Sequence, residues 1–400
     1  MATTRKRTAT PLPVTTDALP PSAPVLDIDA LLDNYGVRVI VCCGSGGVGK
    51  TTTAAALGLR AAERGRDVCV LTIDPAKRLA QAMGLTKLDN TPRQIPGITG
   101  PKKTGRLDAM MLDMKRTFDE IVEEQSDPER AQAILDNPFY QALSSSFAGT
   151  QEYMAMEKLG QLRAQADADG TWDLIIVDTP PSRSALDFLD APQRLGSFLD
   201  GRLMKLLAAP ARGAGRMSAR VVSAGFGVFT NAITKVIGAQ VLRDIQTFVG
   251  SFDALFGGFR DRAEATYAQL QAPDTRFLVI AAPEADALRE AAYFVERLAS
   301  EKMPLAGLVL NRAQPILIPG LSAEAALAGA ERLDDDNTNE LTSGLLRLHA
   351  DRVLTSRRQR RLAERFCGAH PTVPAIAAPA LAGDVHDLDG LRVVGAALAN

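Results

Sequence analysis

Apolar runs separated by amphipathic stretches organise most of this chain. Val37 to Cys43 is almost wholly apolar, the pattern of a strand buried on both faces. Runs of the same kind recur at Asp67 to Ile73, Leu174 to Val177, Phe277 to Ala281, Leu305 to Leu310 and Thr372 to Ile376. Helical stretches lie between them, the first from Lys50 to about Arg64. Such alternation predicts an α/β fold, a mostly parallel sheet covered by helices on both faces.

Two stretches break the rhythm. From about Lys115 to Asp169, and from about Ala191 to Gln271, there is no convincing strand. In the second, Val241, Ile245, Phe248, Val249, Phe252, Phe256 and Phe259 recur at helical spacing. The pattern predicts an inserted helical subdomain, residues 115–170 with 191–271, in a sheet domain made of 36–114, 171–190 and 272–400. Residues 1–24, rich in Thr, Ala and Pro, cannot repay the entropy of ordering and are expected to form a disordered tail. A short helical turn is expected around Asp29 to Leu32, an exposed acidic linker at Leu333 to Asp336, and an Arg-rich surface helix over Leu341 to Phe366. The most apolar long stretch, Val221 to Gly238, contains Gly225, Gly227, Asn231 and Lys235 and reads as part of a soluble protein rather than a membrane span.

Composition narrows the function classes. The 400 residues are 46% hydrophobic and 23% charged, enough for a substantial core. A net charge of -2 gives no global attraction to polyanions, so no nucleic-acid partner is expected. Cys42, Cys43 and Cys69 fall in predicted buried strands and Cys367 lies far downstream, which is no disulfide framework and suits a reducing cytosol. Arg5, Lys6 and Arg7 are followed by Thr and Pro rather than an apolar stretch, so no signal peptide is read. The expected location is cytoplasmic, with peripheral attachment at a membrane as the second expectation.

Chemistry concentrates after the first strand. Gly44, Ser45, Gly46, Gly47, Val48, Gly49, Lys50 and Thr51 satisfy G-x-x-x-x-G-K-[ST] between a predicted strand and a predicted helix, the context of a P-loop NTPase. The glycines let successive backbone N–H groups turn toward one anion, and the helix start adds its positive dipole end. ATP and magnesium are the expected cofactors. Lys50 is expected to reach the terminal phosphates, Thr51 to ligate magnesium, and Thr52 to add a phosphate contact. Asp178, closing the run LIIVD, is the candidate magnesium-side carboxylate, acting through water. Asp74, closing the second run, is the candidate to orient or polarise an attacking water. A strand-ending aspartate is often only a turn former, the other reading of Asp178 taken alone, and a turn cap is the other reading of Asp74.

Five segments together resemble one known family. They are GSGGVGKTT, DPAKRLAQAM from Asp74, DTPPSRSALDFL from Asp178, APEADALREA from Ala282, and LVLNR from Leu308 to Arg312. In this order they are similar to the arsenical pump-driving and tail-anchored-protein-targeting ATPases, and a bacterial member is expected. The resemblance implies that Asp74 is the switch I catalytic residue, that Asp178 is the magnesium-side carboxylate, that Asn311 contacts the adenine, and that backbone near Pro374 to Leu381 closes over the base. It also implies a dimer, either a homodimer or a heterodimer with a paralogue.

The chain departs from that family at informative positions. The deviant P-loop carries a lysine directly after its first glycine, and here that position is Ser45. A serine cannot supply positive charge to a phosphoryl transition state, so a low intrinsic rate is expected unless Lys77, Arg78 or Arg183, or a paralogue's lysine, stands in. No C-x-x-C pair is present, so no structural zinc is expected, and no cysteine lies between Cys69 and Cys367 to bind arsenite. His349, His370 and His386 are scattered and expected to be solvated.

The predicted insertion carries Phe139, Tyr140, Phe147, Tyr153, Met154 and Met156, then Leu203, Met204, Met217, Phe226 and Phe229, and the stripe from Val241 to Phe259. Such residues re-pack around varied apolar partners, though they equally suit the subdomain's own core. Val241, Ile245, Phe248 and Phe252 are the candidate client groove. The expectation is an ATP-driven switch that handles hydrophobic segments or a membrane partner. The alternatives are an ATPase that energises anion or metalloid transport, and a weakly hydrolysing regulatory subunit. A partition ATPase would carry a basic amphipathic tail, whereas Asp384 to Asn400 is acidic with little basic charge. The cluster Arg357, Arg358, Arg360 and Arg361 reads as a solvated face.

Overall fold

Successive residues of the central strands point to opposite faces of the sheet and divide the core in two. The computed structural model describes residues 17–74, 78–100, 104–138, 140, 141, 144, 150–180, 261–335 and 339–399. In strand β1 (Val39–Cys43), Val39, Val41 and Cys43 join one hydrophobic cluster while Ile40 and Cys42 join the other. Strands β2 (Val68–Thr72) and β5 (Leu174–Asp178) are likewise buried at every position, as sheets covered on both faces require.

The remaining strands are β3 (Arg93–Gln94), β4 (Leu107–Met111), β6 (Thr275–Ala281), β7 (Leu305–Ala313) and β8 (Ala375–Pro379). They form one sheet in the order β3-β4-β2-β5-β1-β6-β7-β8, parallel except for the β3–β4 edge pair. The chain leaves β1 toward β2 and β4, comes back to β5, and builds outward on the other side through β6, β7 and β8. The carboxyl end of β1 therefore sits at a change of direction, where open α/β sheets place their ligands.

On one face lie α1 (Ile28–Asp33), α2 (Lys50–Glu63), α3 (Arg78–Ala82) and α10 (Leu388–Ala397), through Leu32, Leu57, Leu79 and Leu391. Small residues on α2, Ala54 to Ala56 among them, let it lie close to the sheet. The other face is covered by α4 (Met114–Gln125), α5 (Pro128–Leu135), α6 (Thr150–Asp169), α7 (Ala285–Ser300) and the end of α9 (Glu340–Ala369). Tyr140, Tyr153, Met154 and Met156 are buried in that same cluster with Val41 and Val177. Arg66, 1% exposed, ties the opposite end of the sheet by donating to Asp173 and to the carbonyls of Leu32, Asn34 and Val37.

Several boundaries differ from those expected. Strand β4 was not anticipated, because LDAMM carries an aspartate and weak β formers. Asp108 is accommodated there by the Trp172 indole N–H at 2.7 Å and by Arg106. Of the acidic run Leu333 to Asp336 expected as a linker, Leu333 to Asp335 are instead the last turn of α8 (Ala323–Asp335), where Ser343 and Arg347 satisfy the Asp334 carboxylate, and Asp336 lies outside the described residues. The final strand begins at Ala375 rather than Thr372. Residues 17–24 pack on the body: Ala18 is fully buried, Asp17 pairs with Arg360, and the Pro24 carbonyl accepts from the Ala375 N–H. His349 is half-buried against the Leu321 carbonyl rather than solvated. Among the described residues no helix is long and apolar enough to cross a membrane.

Candidate functional site: the loop between β1 and α2

The site begins with two glycines whose geometry excludes side chains. Gly44, at the end of β1, has φ 151° and lies so near β6 that a Cβ would stand 2.0 Å from the Ile280 carbonyl oxygen. Gly49 caps α2 with φ 94°, in the left-handed region, and a Cβ there would meet Asn311 Nδ2 at 2.3 Å. Asn311 uses that nitrogen to donate to the Val48 carbonyl at 2.8 Å, so its carbonyl oxygen is the acceptor left for another group. The loop is thus pinned by β6 on one side and by β7 on the other.

Lys50 opens α2 and is 7% exposed, its Nζ donating to the Ser45 carbonyl at 2.8 Å. Burial lowers its pKa, against the attraction of Asp178. At the next residue, Thr51 Oγ1 donates to Asp178 Oδ2 at 2.7 Å, and Thr72 Oγ1 donates to the same oxygen at 2.7 Å. Asp178 is fully buried, and its Oδ1 has no hydrogen-bond partner among the described residues. Burial raises its carboxyl to about 6, against the two hydroxyls and Lys50. An unpartnered buried carboxylate oxygen beside a threonine hydroxyl and a buried ammonium fits a hydrated cation and a polyanion at this place.

The sequence-predicted residues therefore converge. Asp74, its side chain 13% exposed, receives Arg78 Nη1 at 3.3 Å, and its N–H donates to Thr72 Oγ1 at 3.2 Å. The turn after β5 is held by Thr179, whose N–H and hydroxyl both donate to the Cys42 carbonyl, at 3.2 and 2.9 Å. The thiols beneath the loop are inert: burial pushes Cys43 up to about 12 and Cys42 well above its usual range. Lys77 and Arg183, and the groove candidates Val241, Ile245, Phe248 and Phe252, lie outside the described residues.

Beside Gly49 and Thr52 opens a cavity of about 400 Å³, walled by Asn311, Arg312 and the segment from Ala378 to Val385. Residues 37–322, which span the loop, both aspartates and Asn311, match the family described as anion-transporting ATPase. The chain is a member of the anion-transporting ATPase family.

Relatives of this ATPase include ATPase get3 of Schizosaccharomyces pombe, 27% identical over 303 residues, 75% of this chain and 80% of the relative. ATPase get3 of Schizosaccharomyces japonicus is 26% identical over 289 residues, 71% and 77% of the two chains. ATPase GET3 of Podospora anserina is 26% identical over 322 residues, 79% and 82%. Within the candidate site, Thr72 is the residue that sequence reasoning missed. Its signal was a hydroxyl in an otherwise apolar buried run, two positions before Asp74.

Proposed function

We propose that this chain is an ATP-binding, magnesium-dependent ATPase switch that handles hydrophobic protein segments or a membrane partner, working as a homodimer or as a heterodimer with a paralogue. The observation that carries the nucleotide half is the buried carboxylate of Asp178. It has one oxygen held by Thr51 and Thr72 and the other without a partner among the described residues.

Thr51 and, through water, Asp178 would hold magnesium, while Lys50 and the backbone from Gly44 to Thr52 would hold the phosphates. Bound magnesium supplies charge neutralisation on the transferring phosphoryl group. Asp74, at the end of β2 and restrained by Arg78, orients the attacking water and accepts its proton. Asn311 offers its free carbonyl oxygen to the exocyclic amine of adenine. Ser45 brings no cation to the phosphates, so hydrolysis by the isolated chain is slow.

The client half rests on the resemblance to tail-anchored-protein-targeting ATPases and on the helical-period stripe from Val241 to Phe259. The test is capture of a hydrophobic helical peptide by purified protein. Magnesium ATP is expected to strengthen capture, and both Lys50→Ala and removal of residues 217–259 to abolish it. Capture that is indifferent to nucleotide would sink the switch, and stimulation of turnover by arsenite would favour the transport reading instead.

A further inference from the structure

Among the described residues only two non-glycine residues hold a left-handed backbone, Lys302 with φ 56° and Arg312 with φ 60°. Lys302 has an ordinary reason. It ends α7, where the Met303 N–H bonds to Leu298 and the Lys302 N–H to Ala299, the usual left-handed helix stop. Arg312 has no such reason, because it lies inside β7.

The cause is a bulge. Leu310 is opposite Ala377 and Ala313 is opposite Pro379, so Asn311 and Arg312 together face Ala378 alone. One extra residue in β7 turns the strand locally and re-aims both side chains. Asn311 is carried onto the P-loop at Val48 and Gly49, and Arg312 onto the wall of the cavity of about 400 Å³ beside Thr52. An arginine in a conformation that suits glycine disfavours the fold, and such outliers gather at ligand clamps. A glycine at this bulge would be the conformationally cheaper residue, so the guanidinium itself is what the position retains.

We propose that Arg312 is a nucleobase-contacting residue that sets the affinity of this site for the purine rather than for the phosphates. The proposal rests on the nucleotide reading above. The phosphates are assigned to Lys50, Thr51 and the loop backbone, whereas Arg312 lines, with Asn311 and the Ala378 to Val385 segment, the cavity that opens beside Gly49 and Thr52 and that neither Lys50 nor Thr51 lines. A guanidinium on that wall suits a base, since its plane stacks on an aromatic face and its N–H groups donate to ring nitrogens.

The experiment compares wild type, Arg312→Gly, Arg312→Lys and Lys50→Ala for binding of magnesium ATP and of inorganic tripolyphosphate, with thermal denaturation alongside. Arg312→Gly is expected to melt at or above the wild-type temperature, since glycine accepts the left-handed backbone without strain. The same variant is expected to bind ATP about tenfold more weakly, the order of a lost guanidinium–ring contact. Its tripolyphosphate affinity should stay within about twofold of wild type, because that ligand has no base to stack on. Arg312→Lys, which keeps charge without the plane, is expected to fall between. Unchanged ATP affinity in Arg312→Gly, or an equal loss of tripolyphosphate, overturns the assignment. If wild type binds neither ligand and Lys50→Ala changes nothing, the nucleotide reading itself fails, and the assignment with it.

Discussion

Thr72 on β2 donates a 2.7 Å hydrogen bond to Asp178 Oδ2 on β5 while its own oxygen accepts from the Asp74 N–H at 3.2 Å. One hydroxyl thus links the two strand ends that carry the candidate metal-side carboxylate and the candidate water-orienting carboxylate. Replacing Thr72 with the isosteric valine leaves Oδ2 with Thr51 alone and removes a bond to an ionised acceptor, worth about 1.5 kcal/mol or more. The expected outcome is magnesium-nucleotide affinity lower by about tenfold, with Thr72→Ser near wild type. Calorimetric titration with and without magnesium checks it, because a merely structural role would weaken both titrations alike.

The same carboxyl sets a pH dependence. Burial raises Asp178 from 3.8 to about 6, so between those values the folded protein holds a proton that the unfolded chain has lost. For an acid displaced upward, the stabilisation is complete below the unfolded value and disappears as pH rises through about 6. A displacement of this size corresponds to about 3 kcal/mol. Relative to Asp178→Asn, which does not titrate, wild type is expected to lose stability by that order as pH rises from the unfolded value to just above the folded one. Denaturant unfolding of both proteins across this range measures it. Magnesium-nucleotide affinity should run the other way, rising as the carboxylate ionises, and a flat stability difference between the two proteins would show that folding does not raise the Asp178 carboxyl.

Gly49 and Asn311 offer a structural test. Gly49→Ala adds a Cβ at a φ of 94° and 2.3 Å from Asn311 Nδ2. The backbone contribution alone costs about 1–2 kcal/mol, and displacement of Asn311 from the Val48 carbonyl adds about 1 kcal/mol. Asn311→Ala loses only the second contribution. The double variant Gly49→Ala, Asn311→Ala removes the clash but keeps the backbone strain, so its destabilisation should fall below the sum of the two singles. Additive unfolding free energies would mean that the side chain and the loop are not in contact.

The parts of the site that were legible in the chain are those whose chemistry is contiguous. Gly44 to Thr51 carries glycines, lysine and hydroxyl within one turn, and Asp74 and Asp178 each close an apolar run. What could not be read is what the sheet brings together. Thr72 and Asp178 are 106 residues apart, and only the β2–β5 pairing, which sets Thr72 opposite Asp178, makes them neighbours. Arg312 was visible in LVLNR, but its left-handed backbone arises from a register shift against β8, which no local pattern encodes. Strand β4 was hidden because its suitability for the sheet comes from Trp172 and Arg106 satisfying Asp108, not from its own β propensity.

Ser45 supplies the last prediction. Its hydroxyl is buried with no hydrogen-bond partner among the described residues, while its carbonyl receives Lys50 Nζ. The side chain therefore contributes little to holding the loop, and its replacement need not disturb the lysine below. A cation introduced here would act on charge that develops only in the transition state, where such groups are worth on the order of 100-fold or more in turnover. If turnover by the purified protein is limited by the missing charge, Ser45→Lys should raise kcat by that order with ATP affinity changed far less. Single-turnover measurements separate the chemical step from product release. A wild-type protein already as fast as the variant would show that another cation completes this site, and Arg78→Ala, beside Asp74, would then be the variant expected to slow it.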